Sequence, residues 1–162
     1  MAYQSLSGII CGLFALVIPW PGIAAQSFAP DPALVERGRY VATVSGCNDC
    51  HTPGYASGDG NVPESSWMLG DSFGWSGPWG TTYGTNLRLY ISTLTESQWV
   101  EAARTMRRRP PMPWFNLNKM EESDLKALYH FVRSLGDPGA PAPGALAPGQ
   151  TPDGPRAQWV LQ

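Results

Sequence analysis

The residues able to do chemistry are concentrated in one run, Cys47-Asn48-Asp49-Cys50-His51. Two thiols three positions apart can each add to one vinyl group of a haem. The residue that follows then lies under the iron and donates an imidazole nitrogen, so C-x-x-C-H reads as c-type haem attachment. Other uses of the same residues fit less well. A Cys47–Cys50 disulfide would close a very short, strained loop and stabilise little. A thioredoxin-like redox pair calls for a βαβ setting that the flanking sequence lacks. Zinc needs four ligands, and beyond the first 25 residues the strong candidates are Cys47, Cys50, His51 and His130, two of them adjacent and poorly placed for a tetrahedron. The expectation is one covalently attached haem c, with His51 as an iron ligand.

The sixth ligand separates electron transfer from catalysis. Beyond the initiator, methionines stand at 68, 106, 112 and 120. Met120 precedes a helix and can staple it against Leu125, Met106 falls within a helix, and Met68 in Trp67-Met68-Leu69 reads as packing. Met112 is held in the rigid Pro110-Pro111-Met112-Pro113 segment between two helices, where a loop can carry its sulfur to the face opposite His51. It is the expected second metal ligand. With both axial positions filled, a one-electron change at iron is the chemistry that remains, and a thioether favours the ferrous state. The alternative is a haem enzyme or gas sensor with an open or labile distal site, but His130 is the only spare histidine and no acid/base constellation accompanies it. A subunit that merely holds haem is a third reading.

The elements that must position these groups can be read around them. Asp31-Pro32 is an N-cap followed by a proline at the first helical position, opening a helix from Ala33 to about Val44. Gly38 inside it costs about 1 kcal/mol relative to Ala, which points to a close approach by another element. Thr52 to Asn86 carries glycines, prolines and the aromatics Trp67, Trp75, Trp79 and Tyr83 without a sustained period, and reads as loop packed on something large and flat. Thr95 and Gln98 resemble a capping box opening a helix to about Met106. Prolines then forbid helix through Pro113. Glu121, Glu122 and Asp124 suit the positive first turn of a last helix, whose apolar stripe is Leu125, Leu128, Tyr129, Val132 and Leu135 and which Gly136 ends. His130 falls off that stripe and is expected to be a half-exposed surface histidine.

Composition bounds the rest. The chain has 162 residues, suited to one domain with tails, and 18 Gly with 16 Pro make it loop-rich. A net charge of −2 lacks the basic excess of nucleic-acid binders. Residues 1–25 have a signal-peptide layout: an apolar run from Gly8 to Ile18, then Pro19 and Pro21, then small residues near Ala25. An uncleaved anchor is the alternative, the only route to membrane contact, since no Lys or Arg precedes Gly8. Cys11 lies in the apolar run and is given no function. Export to the bacterial periplasm is therefore expected, with a functional domain at 26–136 and a Pro/Gly/Ala-rich tail at 137–162. The tail holds six prolines yet finishes in Trp159-Val160-Leu161, which favours folding back over disorder. Arg104, Arg107, Arg108 and Arg109 would form a positive patch beside the ligand loop.

Gly38, Tyr40, the Gly46-Cys47-x-x-Cys50-His51-Thr52 run, Met112-Pro113-Trp114 and the closing Asp124-Leu125-x-x-Leu128-Tyr129-x-x-Val132-x-x-Leu135 helix together resemble a monohaem cytochrome c domain of the mitochondrial-like class, over about Asp31 to Gly136. Pro78-Trp79-Gly80-Thr81-Thr82-Tyr83 leading to Asn86-Leu87 is similar to the segment before the distal ligand in cytochrome subunits of bacterial membrane-bound alcohol and sugar dehydrogenases. Those subunits usually carry three haem motifs, and this sequence carries one. The resemblance implies an all-α, cytochrome c-like fold whose first and last helices cross near Gly38 and Tyr129. It implies a backbone carbonyl that orients His51, with Pro78 as candidate, and a non-enzymatic electron-transfer role. The partners would be redox proteins: a dehydrogenase, an oxidase or another respiratory complex.

Overall fold

The computed structural model describes residues 28–160. The expected signal peptide, its cleavage site and Cys11 lie outside the described residues.

Asp31 starts helix α1 (Pro32–Val44) by accepting hydrogen bonds from the N–H groups of Ala33, at 2.8 Å, and Leu34, at 3.4 Å. Gly46, with φ of 67°, turns the chain out of α1 and directly into the short helix α2 (Cys47–His51), a left-handed conformation that glycine adopts without steric cost. Helices α3 (Leu87–Ser92), α4 (Glu96–Thr105), α5 (Trp114–Leu117) and α6 (Glu122–Ser134) follow. The capping box of α4 forms as its spacing predicts, Thr95 receiving the Gln98 N–H and Gln98 receiving that of Thr95.

Helices α1 and α6 form the central pair. A Cβ built on Gly38 would lie 2.1 Å from the Ala127 carbonyl oxygen and 2.6 Å from the Phe131 Cβ, so only glycine permits this crossing. The contact on α6 is thus Ala127 and Phe131, whereas Tyr129 points elsewhere and donates its hydroxyl to the Leu94 carbonyl at 2.9 Å. Around the pair, Val41, Ile91, Trp99, Val100, Leu117, Leu125, Leu128, Val132 and the sealed Met68 complete one core.

Two expectations need correction. His130 is buried at 9% exposure, not half-exposed. Its Nδ1 accepts the Asp31 N–H at 2.9 Å, which leaves the proton on Nε2, donated to a Glu96 carboxylate oxygen at 2.9 Å. The apolar stripe could not reveal this, because that flank of α6 is covered by polar helix ends, the cap of α1 and the first turn of α4. Second, the fold is mostly helical and not purely so. Strands β1 (Gly74–Gly77) and β2 (Gly80–Tyr83) form a hairpin around Pro78-Trp79, and β3 (Arg156–Gln158) pairs in parallel with β1, giving the order β2-β1-β3. These strands have four residues or fewer, β1 and β2 begin on glycine, and the hairpin is joined without the usual Asn-Gly signal. The third strand arrives from the tail, which no local pattern indicates.

Among the described residues, no helix is long and apolar enough to cross a membrane.

Candidate functional site

Helix α2 presents the thiols of Cys47 and Cys50 one turn apart, positions that share a helix face, and both thiols are free. Burial, aided by the Asp49 charge, pushes the Cys47 thiol up to about 11. The same two causes, with Asp71 adding to them, raise Cys50. Both sulfurs therefore carry their protons at neutral pH.

His51 closes the helix and is almost entirely buried. Its Nδ1 lies 2.7 Å from the Thr85 carbonyl oxygen. A carbonyl only accepts, so Nδ1 carries the hydrogen and Nε2 keeps its lone pair. Burial holds the imidazole below its ordinary pKa against the opposing pull of that carbonyl, and the ring is neutral. Such a bond fixes tautomer and ring orientation, the arrangement metal-ligating histidines use. The acceptor is Thr85, not Pro78. Pro78 forms the exposed corner of the hairpin, whereas Thr85 lies between the end of β2 and the Asn86 cap of α3, a segment brought against α2.

Further contacts fix α2 and the segments around it. Gly84 packs so tightly that an added Cβ would sit 1.7 Å from the Cys50 carbonyl oxygen. The His51 carbonyl receives the Gly70 N–H at 2.8 Å, and Thr52 donates to Asn48 Oδ1 at 2.6 Å while accepting the Met68 N–H at 2.8 Å. The buried Asn48 Nδ2, on the helix that carries both thiols, has no hydrogen-bond partner among the described residues. Thr85, Gly84 and Asn48 were given no role from sequence, and Thr52 entered only as the end of the resembling run. The one local signal was Asn86, an N-cap whose side chain receives the Leu89 N–H three residues on.

Arg88 was also missed. It is 5% exposed, and all five of its donors reach backbone carbonyls: Trp67 through Nε, Leu135 and Asp137 through one terminal nitrogen, Glu64 and Ser65 through the other. Burial lowers its pKa, and Asp137 opposes the shift. Its guanidinium joins the end of α6, the start of the tail and the loop before Met68 into one unit.

The four methionines differ in their surroundings. Met68 is fully buried in a left-handed conformation with φ of 63°, and its carbonyl receives the N–H groups of Leu87 and Arg88. Met106 and Met120 are partly buried against the core, as is Met112. None of the four lies within a helix or strand: Met106, expected inside a helix, is the extended C-cap just past the end of α4. Met112 lies in the proline-rich segment between α4 and α5, tethered at one side by Thr82, whose hydroxyl donates to the Pro110 carbonyl at 2.6 Å, and at the other by the Trp114 N–H, which donates to Met112's own carbonyl at 2.9 Å. Beside it Arg107 stacks on Trp114, 4.2 Å from the ring centre, Arg104 pairs with Glu122 at 3.2 Å, and Arg108 and Arg109 are exposed. Phe115 is also exposed, so the loop presents both cationic and aromatic surface.

Against known proteins, the chain is 29% identical, over 82% of its length, to the fructose dehydrogenase cytochrome subunit of Gluconobacter japonicus. It is 31% identical over 70% to the cytochrome c subunit of the quinone alcohol dehydrogenase of Gluconacetobacter polyoxogenes, and 30% identical over 67% to the corresponding subunit of Gluconobacter oxydans. It spans 29%, 25% and 23% of the length of these relatives, respectively. No family model matches the chain, and no solved structure does. The chain is therefore related to cytochrome subunits of bacterial dehydrogenases.

Proposed function

We propose that this chain is a periplasmic one-electron carrier, or the electron-transfer domain of a dehydrogenase complex, of the monohaem, mitochondrial-like cytochrome c class, with one covalently attached haem c ligated by His51 and Met112. The observation that carries the reading is the donor set on α2: two free thiols on one face, followed by a neutral imidazole whose Nδ1–H is engaged by Thr85 and whose Nε2 is left to bind metal.

These residues fit the group. Cys47 and Cys50 would hold it by thioethers, and His51 Nε2 and the Met112 sulfur would ligate its iron. When bound, haem c supplies a single Fe(III)/Fe(II) couple, and a thioether ligand raises its potential. The remaining tasks fall to the chain. Thr85 sets the imidazole's orientation, Gly84 lets that carbonyl approach, and the Thr82–Pro110 bond holds the Met112 segment to the hairpin. The exposed Arg107, Arg108 and Arg109 beside Met112 suit an acidic redox partner, consistent with the dehydrogenase complexes to which the relatives belong.

The test is to produce the full chain in a host that attaches c-type haem. The expected mass is that of the processed polypeptide plus one haem, retained after extraction with acidified solvent, with a weak far-red sulfur band in the ferric spectrum. Cys50→Ser should lose one thioether, and Met112→Ala should lose the band and admit added ligands. Haem that extracts freely refutes covalent attachment. A band that survives Met112→Ala redirects the ligand to another methionine, and high-spin features in the parent protein support the sensor or enzyme reading instead.

A further inference from the structure

Residues 137–160 follow the last helix of the core, yet they touch both segments assigned above to the axial ligands. On the His51 side, Asn86 Nδ2 donates to the carbonyls of Pro138, at 2.6 Å, and Ala140, at 2.9 Å. Asn86 is the neighbour of Thr85, whose carbonyl orients His51. Ala142 sits beneath Gly70, where an added Cβ would come within 2.8 Å of its methyl, and the Gly70 N–H holds the His51 carbonyl.

On the Met112 side, Leu146 pairs with Thr81 in both directions, its carbonyl receiving the Thr81 N–H at 3.2 Å and its N–H reaching the Thr81 carbonyl at 2.9 Å. The same Leu146 carbonyl accepts from Arg109 at 3.3 Å, and Gly80 lies against it so closely that a Cβ there would be 2.2 Å away. The adjacent Thr82 is the residue that holds Pro110. Farther on, β3 pairs with β1, the Trp159 N–H donates to Ser76, and the Trp159 ring meets Trp79 edge to face at 5.6 Å.

We propose that residues 137–160 are a strap that positions both axial-ligand segments, so that the Met112 sulfur stays on the site only while the strap is docked. The proposal rests on His51 and Met112 being the ligands. Leu146, Asn86 and Arg109 are its positioning residues, acting through β2, Thr85 and Pro110. The strap has no helix, and it adds little to the buried core. Its six prolines reduce the entropy lost on docking. Held mainly by hydrogen bonds and one aromatic contact, it belongs to the part of a structure that opens before global unfolding. Its release would loosen the Met112 loop while α1 and α6 remain packed.

The test compares the haem-loaded full chain with a chain ended after Ala140, which keeps the contacts to Asn86 and Arg88 and loses Leu146, β3 and Trp159. In the shortened chain the far-red sulfur band should bleach well below the temperature at which helical circular dichroism is lost. Imidazole should bind ferric iron about tenfold faster, the effect of losing roughly one net hydrogen bond's worth of restraint on the loop. Asn86→Asp, which keeps the α3 cap but sets a carboxylate against two carbonyls, should exchange the His51 Nδ1 proton about tenfold faster by the same reasoning. This substitution also decides the proposal if the shortened chain does not fold. Band loss that coincides with global unfolding in both variants, with imidazole binding and proton exchange within about twofold of the parent, would overturn the strap. If the parent shows no band that Met112→Ala removes, the ligand reading fails instead. Amide exchange at Thr81, Thr82 and Trp114 then judges the strap: protection must fall on truncation, and unchanged protection refutes it.

Discussion

Gly84→Ala tests the central geometric claim, that His51 is oriented by a carbonyl which can approach only because residue 84 has no side chain. The backbone at Gly84 does not lie in the left-handed region, so alanine is excluded there by contact and not by conformation. The new Cβ would lie 1.7 Å from the Cys50 carbonyl oxygen, and relief to 3.0 Å, the shortest separation real Cβ atoms show, requires about 1.3 Å of displacement. Both clashing groups are backbone, so no side chain can swing aside. If residues 84–85 take up the movement, the 2.7 Å bond from His51 Nδ1 to Thr85 lengthens toward about 4 Å and is lost. Overpacking costs about 1–3 kcal/mol, and a buried donor left unpaired costs about 1–3 kcal/mol more. The expected loss is thus about 2–6 kcal/mol, a large share of the 5–15 kcal/mol typical of a domain. Urea unfolding of the haem-loaded protein measures the stability, and the His51 Nδ1 proton resonance reports the bond. Gly58→Ala is the control: no atom lies within 4 Å of a Cβ there, and its effect should stay within about 1 kcal/mol. A Gly84→Ala protein as stable as the Gly58→Ala control, with its Nδ1 proton unshifted, would refute the argument.

Three further outcomes follow from neighbouring contacts. Gly38→Ala places a Cβ 2.1 Å from the Ala127 carbonyl and should lower stability by about 1–3 kcal/mol or more by urea unfolding, with the His51 proton resonance unchanged because the wedge opens α1 from α6 and not α2 from Thr85. Arg88→Met strands four carbonyls, that of Glu64 keeping the Trp67 N–H, and should cost at least about 3 kcal/mol in the same assay, and Arg88→Lys should fail to restore it, since a point-charged ammonium cannot reproduce five donors in a planar fork. Arg107→Glu/Arg108→Glu should slow reduction by an acidic partner and flatten its salt dependence in stopped-flow traces. Rates unaffected by either salt or charge reversal would leave these arginines only their role at the end of α4.

Much of the scaffold was legible because it rests on short-range physics. The cap at Asp31, the capping box of Thr95 and Gln98, the proline-blocked segment around Met112 and the amphipathic α6 each depend on residues within a few positions of one another. Gly38 announced a close approach by being a helix-interior glycine, although its partners, Ala127 and Phe131, came only with the fold. His130 was misjudged because periodicity records apolar stripes, whereas its cover is the polar end of α1 and the carboxylate of Glu96.

Sequence alone determined the chemistry on offer: two thiols and an imidazole at a spacing that one helical turn converts into a single face. It also located the rigid loop that carries Met112, since prolines act on the backbone wherever they stand. Tertiary structure decided which carbonyl orients His51. That choice fell to Thr85 because a hairpin, a glycine without a side chain and the Asn86 cap bring residues 34 positions apart into contact. It likewise decided what the tail does. Parallel pairing of β3 with β1 and the paired bonds between Leu146 and Thr81 join segments more than sixty residues apart. Backbone groups carry these contacts, and every residue has those groups, so side-chain identity could not have revealed them.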